Sequence, residues 1–280
     1  MNVKTIEGNN KEGKNILIIS GVHGDEITPI YCTRLIQDYL NATKFNVNTI
    51  TILSAVNKKG IKNNSRDIIE KYSNDLNRSF SSEEQEDYVS ILKSHIDKND
   101  VIIDVHSSPK CTEFLLINQD FNANSYVEFC IKNNIKYFLR YSSSDTIKKY
   151  CNELGKISFT LELNGMNSCD IQSAIKGERI VNNILHNIND FSIIKSEPKY
   201  STGTEIYSLY SGLVLYNINF GSKIEYNQLF NTIMNIDTFE EYYNSFDTKG
   251  KKYYPICYNG NDYIEAGSVI ASIQEIQEIL

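Results

Sequence analysis

The chain has 280 residues, is 41% hydrophobic and 22% charged, and carries a formal charge of −7. Such values describe an ordinary globular protein with room for one large core, or for a main domain and a smaller one. The acidic balance excludes general nucleic-acid binding, since no basic stripe offsets it, yet it leaves room for a local basic pocket around an anionic substrate.

No apolar run approaches the roughly 20 residues of a bilayer-spanning helix, so no membrane partner is expected. The first residues, Met1-Asn-Val-Lys-Thr-Ile-Glu7, lack the apolar stretch of a signal peptide, and a cytoplasmic protein is the expectation. The six cysteines (Cys32, Cys111, Cys130, Cys151, Cys169, Cys257) contain no Cys-x-x-Cys pair and read as reduced, partly buried thiols. A homo-oligomer is compatible with this composition, but the charge predicts no interface.

Apolar, β-rich runs alternate with helical patterns over the first two thirds. Strands are expected at Ile16–Ser20, Thr49–Ala55, Val101–His106, Glu113–Asn118, Ile135–Leu139 and Ile157–Leu163. Helices are expected at Ile27–Leu40, Glu83–Asp97, Asn124–Lys132, Asp145–Leu154 and Ile171–Asn189. Alternation of this kind predicts an α/β fold with a mostly parallel or mixed sheet covered by helices. Residues 57–82 break the rhythm and read as a long polar loop, of the kind that usually carries function. After about Phe191 the helical period fades and short β-like runs appear between Gly and Asn turns. Ile224–Ile233 and Ile264–Ile273 form a small repeat, each reading as a turn and a short alternating strand. The expectation is a main domain over residues 1–195 and a small all-β sandwich or barrel over 196–280.

The chemistry concentrates in Ser20-Gly-Val-His-Gly-Asp-Glu-Ile27, a tight turn between the first of those strands and the first helix. His23 and Glu26 offer an imidazole and a carboxylate to one cation, a mixture that suits zinc. His106 ends the strand Val101–His106 and is the third ligand candidate. Sites in open α/β sheets form outside the carboxyl ends of strands, where both histidines fall. Two His and one Glu leave a fourth position open, as catalytic zinc requires. A water activated there needs a base, and Glu162 is a lone carboxylate in the apolar strand Ser158-Phe-Thr-Leu-Glu-Leu-Asn164. Arg78 and the adjacent Asn77 can grip a substrate carboxylate, and Arg66 can polarise a carbonyl and stabilise an oxyanion. Taken singly, His106 is a core histidine and Arg78 a surface ion pair; their order along the chain is what favours a site. His95 and His186 lie in helical patterns without such partners and read as surface or interface residues.

In type and order, Gly21-x-His23-Gly-x-Glu26, Asn57-x-x-Gly60 leading to Arg66, Asp75-Leu-Asn77-Arg78-x-Phe80, Asp104-x-His106 and Glu162 resemble the succinylglutamate desuccinylase/aspartoacylase family. That family belongs to the zinc carboxypeptidase superfamily. The resemblance implies one zinc held by His23, Glu26 and His106, with Glu162 as base and then acid. It also implies Arg66 at the oxyanion and Asn77 and Arg78 on a substrate carboxylate. A C-terminal β domain beside the site is implied too, with turns resembling a biotinyl/lipoyl barrel but no Met-Lys-Met hairpin for an attached group. Two positions depart from the aspartoacylase pattern: Asn152 stands where an arginine precedes the base, and Asn164-Gly165 replaces Gly-Pro. Tyr254 and Tyr258 are candidates to reach the site from the β domain.

The resulting expectation is a zinc-dependent amidohydrolase acting on small anionic N-acyl amino acids. Its rivals are a metallocarboxypeptidase acting on short peptides or γ-glutamyl-type amides, and a non-catalytic ligand-binding protein on the same scaffold.

Overall fold

The computed structural model describes residues 1–67, 75–81, 87–117, 123–140, 144–193, 204–219, 222–225, 228–245, 253–258 and 262–275. The sheet begins with β1 (Asn2–Glu7), β2 (Asn15–Ser20) and β3 (Thr49–Ser54), with helix α1 (Thr28–Ala42) between the last two. A short helix α2 (Lys58–Asn63) and α3 (Asp87–Asp97) precede β4 (Val101–Ser108) and β5 (Phe114–Ile117). Then come α4 (Ala123–Lys132), β6 (Phe138–Arg140), α5 (Ile147–Glu153), β7 (Ile157–Asn164) and α6 (Ile171–Asn187). The seven strands lie in the order β1-β3-β2-β4-β7-β5-β6. β3, β2, β4 and β7 run parallel, while β1 and β5 pair antiparallel with β3 and β7. The sheet is therefore mixed, with an antiparallel edge strand that the opening residues did not announce.

The central strands are apolar at consecutive positions because both faces of the sheet are covered. Side chains alternate across a strand, so Ile16, Ile18, Val101, Ile103 and Val105 pack with α1, α4 and α6. Leu17, Ile19 and Ile102 point the other way, against Val89, Leu92 and Ile96 of α3 and Ile147 and Cys151 of α5. The chain leaves β2 through α1 to β3 on one side, and β4 lies on the other side of β2. That reversal opens a crevice at the carboxyl ends of β2 and β4.

Loops at this end are stitched backbone to backbone. Val56 N–H donates to Ser20 O at 3.2 Å, Asn57 N–H to Gly21 O at 2.7 Å, and Gly24 N–H to Arg66 O at 3.3 Å. The Asn57 side chain accepts from Gly60 N–H and donates to Arg66 O, so it both caps α2 and ties the helix to Arg66. The expected polar loop over 57–82 is thus partly regular, holding α2 and a 3-10 turn at Leu76–Arg78 whose cap is Asp75. Its polar composition hid these elements because the side chains serve as caps and ties rather than as one face of a long helix. Residues 68–74 and 82 of that segment, and residues 83–86 at the expected start of α3, lie outside the described residues.

The C-terminal part holds β8 (Thr204–Tyr207), β9 (Gly212–Tyr216), β10 (Leu229–Met234), β11 (Glu241–Ser245), β12 (Tyr253–Tyr258), β13 (Tyr263–Ile264) and β14 (Val269–Glu275). They form a four-stranded sheet, β11-β10-β9-β13, and a three-stranded one, β12-β14-β8. Val214 and Ile233 of the first sheet share a core with Ile270 of the second, and Phe230 packs with Ala271 and Ile273. The two repeat copies thus contribute one strand to each facing sheet. This part meets the α/β part just past β4: Thr112 N–H donates to Ile256 O and Tyr258 N–H to Lys110 O, both at 2.8 Å. Tyr258 does not reach toward the crevice; its ring stacks on Tyr216 and its hydroxyl donates to Ile218 O. The side chain of Tyr254 lies outside the described residues. No described helix is long and apolar enough to cross a membrane.

Gly24 is the tightest point of this stitching, because a Cβ there would overlap the backbone of Gly60, Ile61 and Ser65. Gly24→Ala is expected to lower unfolding stability by at least about 2 kcal/mol, measured by chemical denaturation. A loss below about 0.5 kcal/mol would show that the two loops are not locked together.

Candidate active site

β2 delivers His23 and Glu26 through the turn before α1, and β4 delivers His106 from the neighbouring strand. All three side chains are buried, and one ligand atom from each lies within 4.8 Å of the others. His23 Nδ1 faces Glu26 Oε1 at 2.7 Å and His106 Nδ1 at 3.2 Å. His106 Nδ1 also faces Glu26 Oε2 at 3.1 Å. The far nitrogens are both taken by carboxylates: His23 Nε2 by Asp75 Oδ1 at 2.9 Å, and His106 Nε2 by Asp104 Oδ2 at 2.8 Å.

Every ring nitrogen of the pair thus faces a carboxylate oxygen, Glu26 on the Nδ1 side and Asp75 or Asp104 on the Nε2 side. A neutral imidazole with its hydrogen on the Nε2 beside Asp75 or Asp104 keeps its lone pair on Nδ1. In that form two lone pairs and the Glu26 carboxylate converge on one point. That donor set fits a divalent cation, and the carboxylates behind the rings are the usual outer partners of metal-bound histidine. Among the described residues, Glu26, Asp75 and Asp104 stand around the point and Arg66 reaches Glu26 and Asp75, so the carboxylates draw positive charge in. Burial alone would push both imidazoles toward neutrality, but the carboxylates outweigh it and hold His23 and His106 above their usual range. Glu26 is held well below the carboxylate range: burial opposes ionisation, and the two imidazoles overcome it. The backbone N–H of Ser107 adds a hydrogen bond to Glu26 Oε2 at 2.9 Å.

Of the other expected site residues, Glu162, Arg66 and Asn77 adjoin this point. Glu162 stands directly beside His106 in the parallel register of β4 and β7. Burial pushes its carboxyl above the usual range and Glu26 adds to the effect, while His106 and a hydroxyl bond from Ser108 pull the other way. Arg66 donates through Nε and Nη2 to Asp75 Oδ2 at 3.0 and 2.9 Å, and its Nη1 lies 3.5 Å from Glu26 Oε1. Asn77 is buried, accepts from Ile147 N–H at 2.9 Å and sets its amide 3.4 Å from His106 Nε2. Arg78 is exposed, and Nη1 donates to Asn77 O at 2.7 Å.

Sequence reasoning quoted Asp75 and Asp104 as motif members without giving them a task. Their spacing held a usable signal, since Asp104 shares a strand face with His106. It missed Ser108 and Lys148. The Asn164-Gly165 departure also finds its reason: Asn164 accepts from Cys111 N–H at 3.2 Å and donates to Asp170 Oδ2 at 2.8 Å, joining the end of β7 to the start of α6. Gly165 has φ +104°, and a Cβ there would crowd Thr28 Oγ1 at 2.6 Å. Asn152 lies on α5.

The mixed sheet with its helices, and the site at the carboxyl ends of its central strands, define an α/β protein of the carboxypeptidase-like fold. The profile of the succinylglutamate desuccinylase/aspartoacylase catalytic domain matches residues 12–188, well over half of the chain. The chain belongs to the succinylglutamate desuccinylase/aspartoacylase family, a family of deacylases, which places it among hydrolases. No functionally curated protein matches the chain. Among solved structures, it is similar to the product-bound ectoine utilization protein EutE (DoeB) from Ruegeria pomeroyi, at 17% identity and TM-score 0.73, over 98% of this chain and 88% of that one. A succinylglutamate desuccinylase/aspartoacylase from Rhodobacter sphaeroides aligns at 16% identity and TM-score 0.74, over 99% and 89%. An aspartoacylase family protein from Mesorhizobium loti aligns at 13% identity and TM-score 0.74, also over 99% and 89%. At these identities the likeness is one of fold.

Lys148 lies behind the site, only 6% exposed, its Nζ donating to Leu116 O at 2.9 Å. Burial pushes its pKa down to about 7, against the pull of Cys151 and Asp104. Between there and the usual lysine value the unfolded chain holds a proton that the folded chain lacks, so this residue makes stability rise with pH across that window. Lys148→Met is expected to be about 1–3 kcal/mol more stable than the parent at pH 7, with the gap closing toward pH 10. Denaturation curves at several pH values would measure it, and a constant gap would contradict a neutral buried lysine.

Proposed function

We propose that the protein is a zinc-dependent amidohydrolase that removes an acyl group from small anionic N-acyl amino acids. The convergence of the His23, Glu26 and His106 lone pairs, with Glu162 beside them, is the observation that carries this reading. When bound, zinc supplies Lewis acidity toward an amide carbonyl and toward water. Glu162 takes the proton from the attacking water and returns it to the departing nitrogen, and its raised pKa suits both tasks. Arg66, braced by Asp75, stabilises negative charge growing on the carbonyl oxygen. Arg78 reaches from an exposed position to hold the substrate carboxylate, and Asn77 sets the 3-10 turn that aims it. In this reading residues 1–195 are the catalytic domain, and residues 196–280 form a β domain anchored beside the end of β4. The protein acts in the cytoplasm.

The test is hydrolysis of a panel of N-acyl amino acids and dipeptides by the zinc-loaded protein and its variants. Turnover of acidic N-acyl amino acids over dipeptides is expected; the reverse preference would make the protein a carboxypeptidase. Glu162→Gln is expected to keep its zinc and lose kcat by roughly 10²–10⁴-fold, whereas His106→Ala loses the zinc. Near-parental turnover in Glu162→Gln would refute the assigned base. Arg78→Ala is expected to raise KM by about tenfold or more, since a charged hydrogen bond is worth about 1.5–3 kcal/mol.

A further inference from the structure

β4 carries Asp104, His106 and Ser108 at alternate positions, so all three lie on one face of the sheet. Asp104 braces His106, and His106 faces the metal point. Ser108 neither faces that point nor braces a ligand to it. Its hydroxyl donates to Glu162 Oε2 at 2.9 Å. The Ser108 backbone is fixed on both sides: it pairs with Asn164 in the sheet register, and its carbonyl accepts from Gly165 N–H at 3.1 Å. The serine therefore presents its hydroxyl to Glu162 from a rigid strand end.

We propose that Ser108 is a positioning residue for Glu162, a role that rests on the reading of Glu162 as the base. A carboxylate on a two-methylene stem rotates about its last torsion, which is broad and soft. A hydrogen bond to Oε2 locks that rotation and leaves Oε1 to face the water. Among the described residues Oε1 has no hydrogen-bond partner, so the division of labour between the two oxygens is open to be used. The constraint operates on the approach of water to the base, not on substrate affinity. Misplacement of a reacting group by about 1 Å costs on the order of 100-fold in rate, which sets the scale of the effect.

A serine donating to a carboxylate also has the form of a nucleophile and its base. The two roles differ in what a threonine and an alanine do. Threonine keeps the hydroxyl with an added methyl and still orients Glu162; alanine removes the tether but leaves base, metal ligands and water.

The experiment measures kcat, KM and bound zinc for Ser108→Ala, Ser108→Thr, Glu162→Gln and the double variant Ser108→Ala/Glu162→Gln, each loaded with zinc. Ser108→Ala is expected to lose roughly 10–100-fold in kcat with KM within about twofold and full zinc occupancy. Ser108→Thr recovers most of that loss. On the Glu162→Gln background the alanine costs nothing further, since the group it positions is gone. Unchanged kcat in Ser108→Ala, a fully additive loss in the double variant, or loss of zinc with the hydroxyl would each overturn the positioning role. A loss in Ser108→Ala as deep as that of Glu162→Gln, without rescue by threonine, would make the serine a nucleophile instead. If Glu162→Gln itself turns over like the parent, the reading of the base fails, and that result is separate from any outcome at Ser108.

Discussion

Two imidazole nitrogens face each other at 3.2 Å, with a Glu26 oxygen beside each of them and a second carboxylate behind each ring. With both lone pairs turned inward such a pair is repulsive unless positive charge enters between them. Here three carboxylates hold the arrangement in place, and the surrounding structure exists largely to keep it so. Asp75 and Asp104 fix the outer nitrogens, Glu26 closes the third side, and the Ser107 N–H fixes Glu26. Either protons or a cation must occupy the centre, and a dication satisfies all three donors at once.

The fold supplies this geometry through one topological feature. The chain reverses direction across the sheet between β2 and β4, and the two histidines come from the two sides of that reversal. β7 lies next to β4, so Glu162 arrives level with His106 without any loop to position it. A group placed by strand register is held more rigidly than one placed on a loop. In the proposed reading, the residues that meet substrate sit on the stitched loops instead. Arg66 and Arg78 both depend on Asp75, which caps the 3-10 turn by accepting from Asn77 N–H and grips Arg66 through the other oxygen. One carboxylate thus links His23, Arg66 and the turn that carries Arg78. His23 and Arg66 hold it below the ordinary carboxylate range against the opposing effect of burial.

Much of this was legible in the sequence. The central strands were readable because burial on both faces writes uninterrupted apolar runs such as Asn15-Ile-Leu-Ile-Ile-Ser20. His23, Glu26, His106 and Glu162 stood out as polar residues where such runs end or are interrupted. Edge elements were less visible. β1, Asn-Val-Lys-Thr-Ile-Glu, mixes polar and apolar residues in a way that also suits a loop, and β6 covers Phe138–Arg140 where the apolar run pointed to Ile135–Leu139. α2 hid in a polar segment because its stability comes from the Asn57 cap and the packing of Gly60 against Asn57 and Ser65. Ser108 was invisible for a different reason. A serine at a strand end has no pattern of its own, and its relation to Glu162 exists only once β4 and β7 are side by side.

The central claim is that His23, Glu26 and His106 together bind one zinc ion, and the composition of the coordination shell tests it most directly. Metal analysis and zinc-edge X-ray absorption on the purified protein should give one zinc per chain with two imidazole nitrogens, oxygen ligands and no sulfur. A protein that retains no metal and takes up none when zinc is added would contradict the account, as would a shell containing cysteine sulfur.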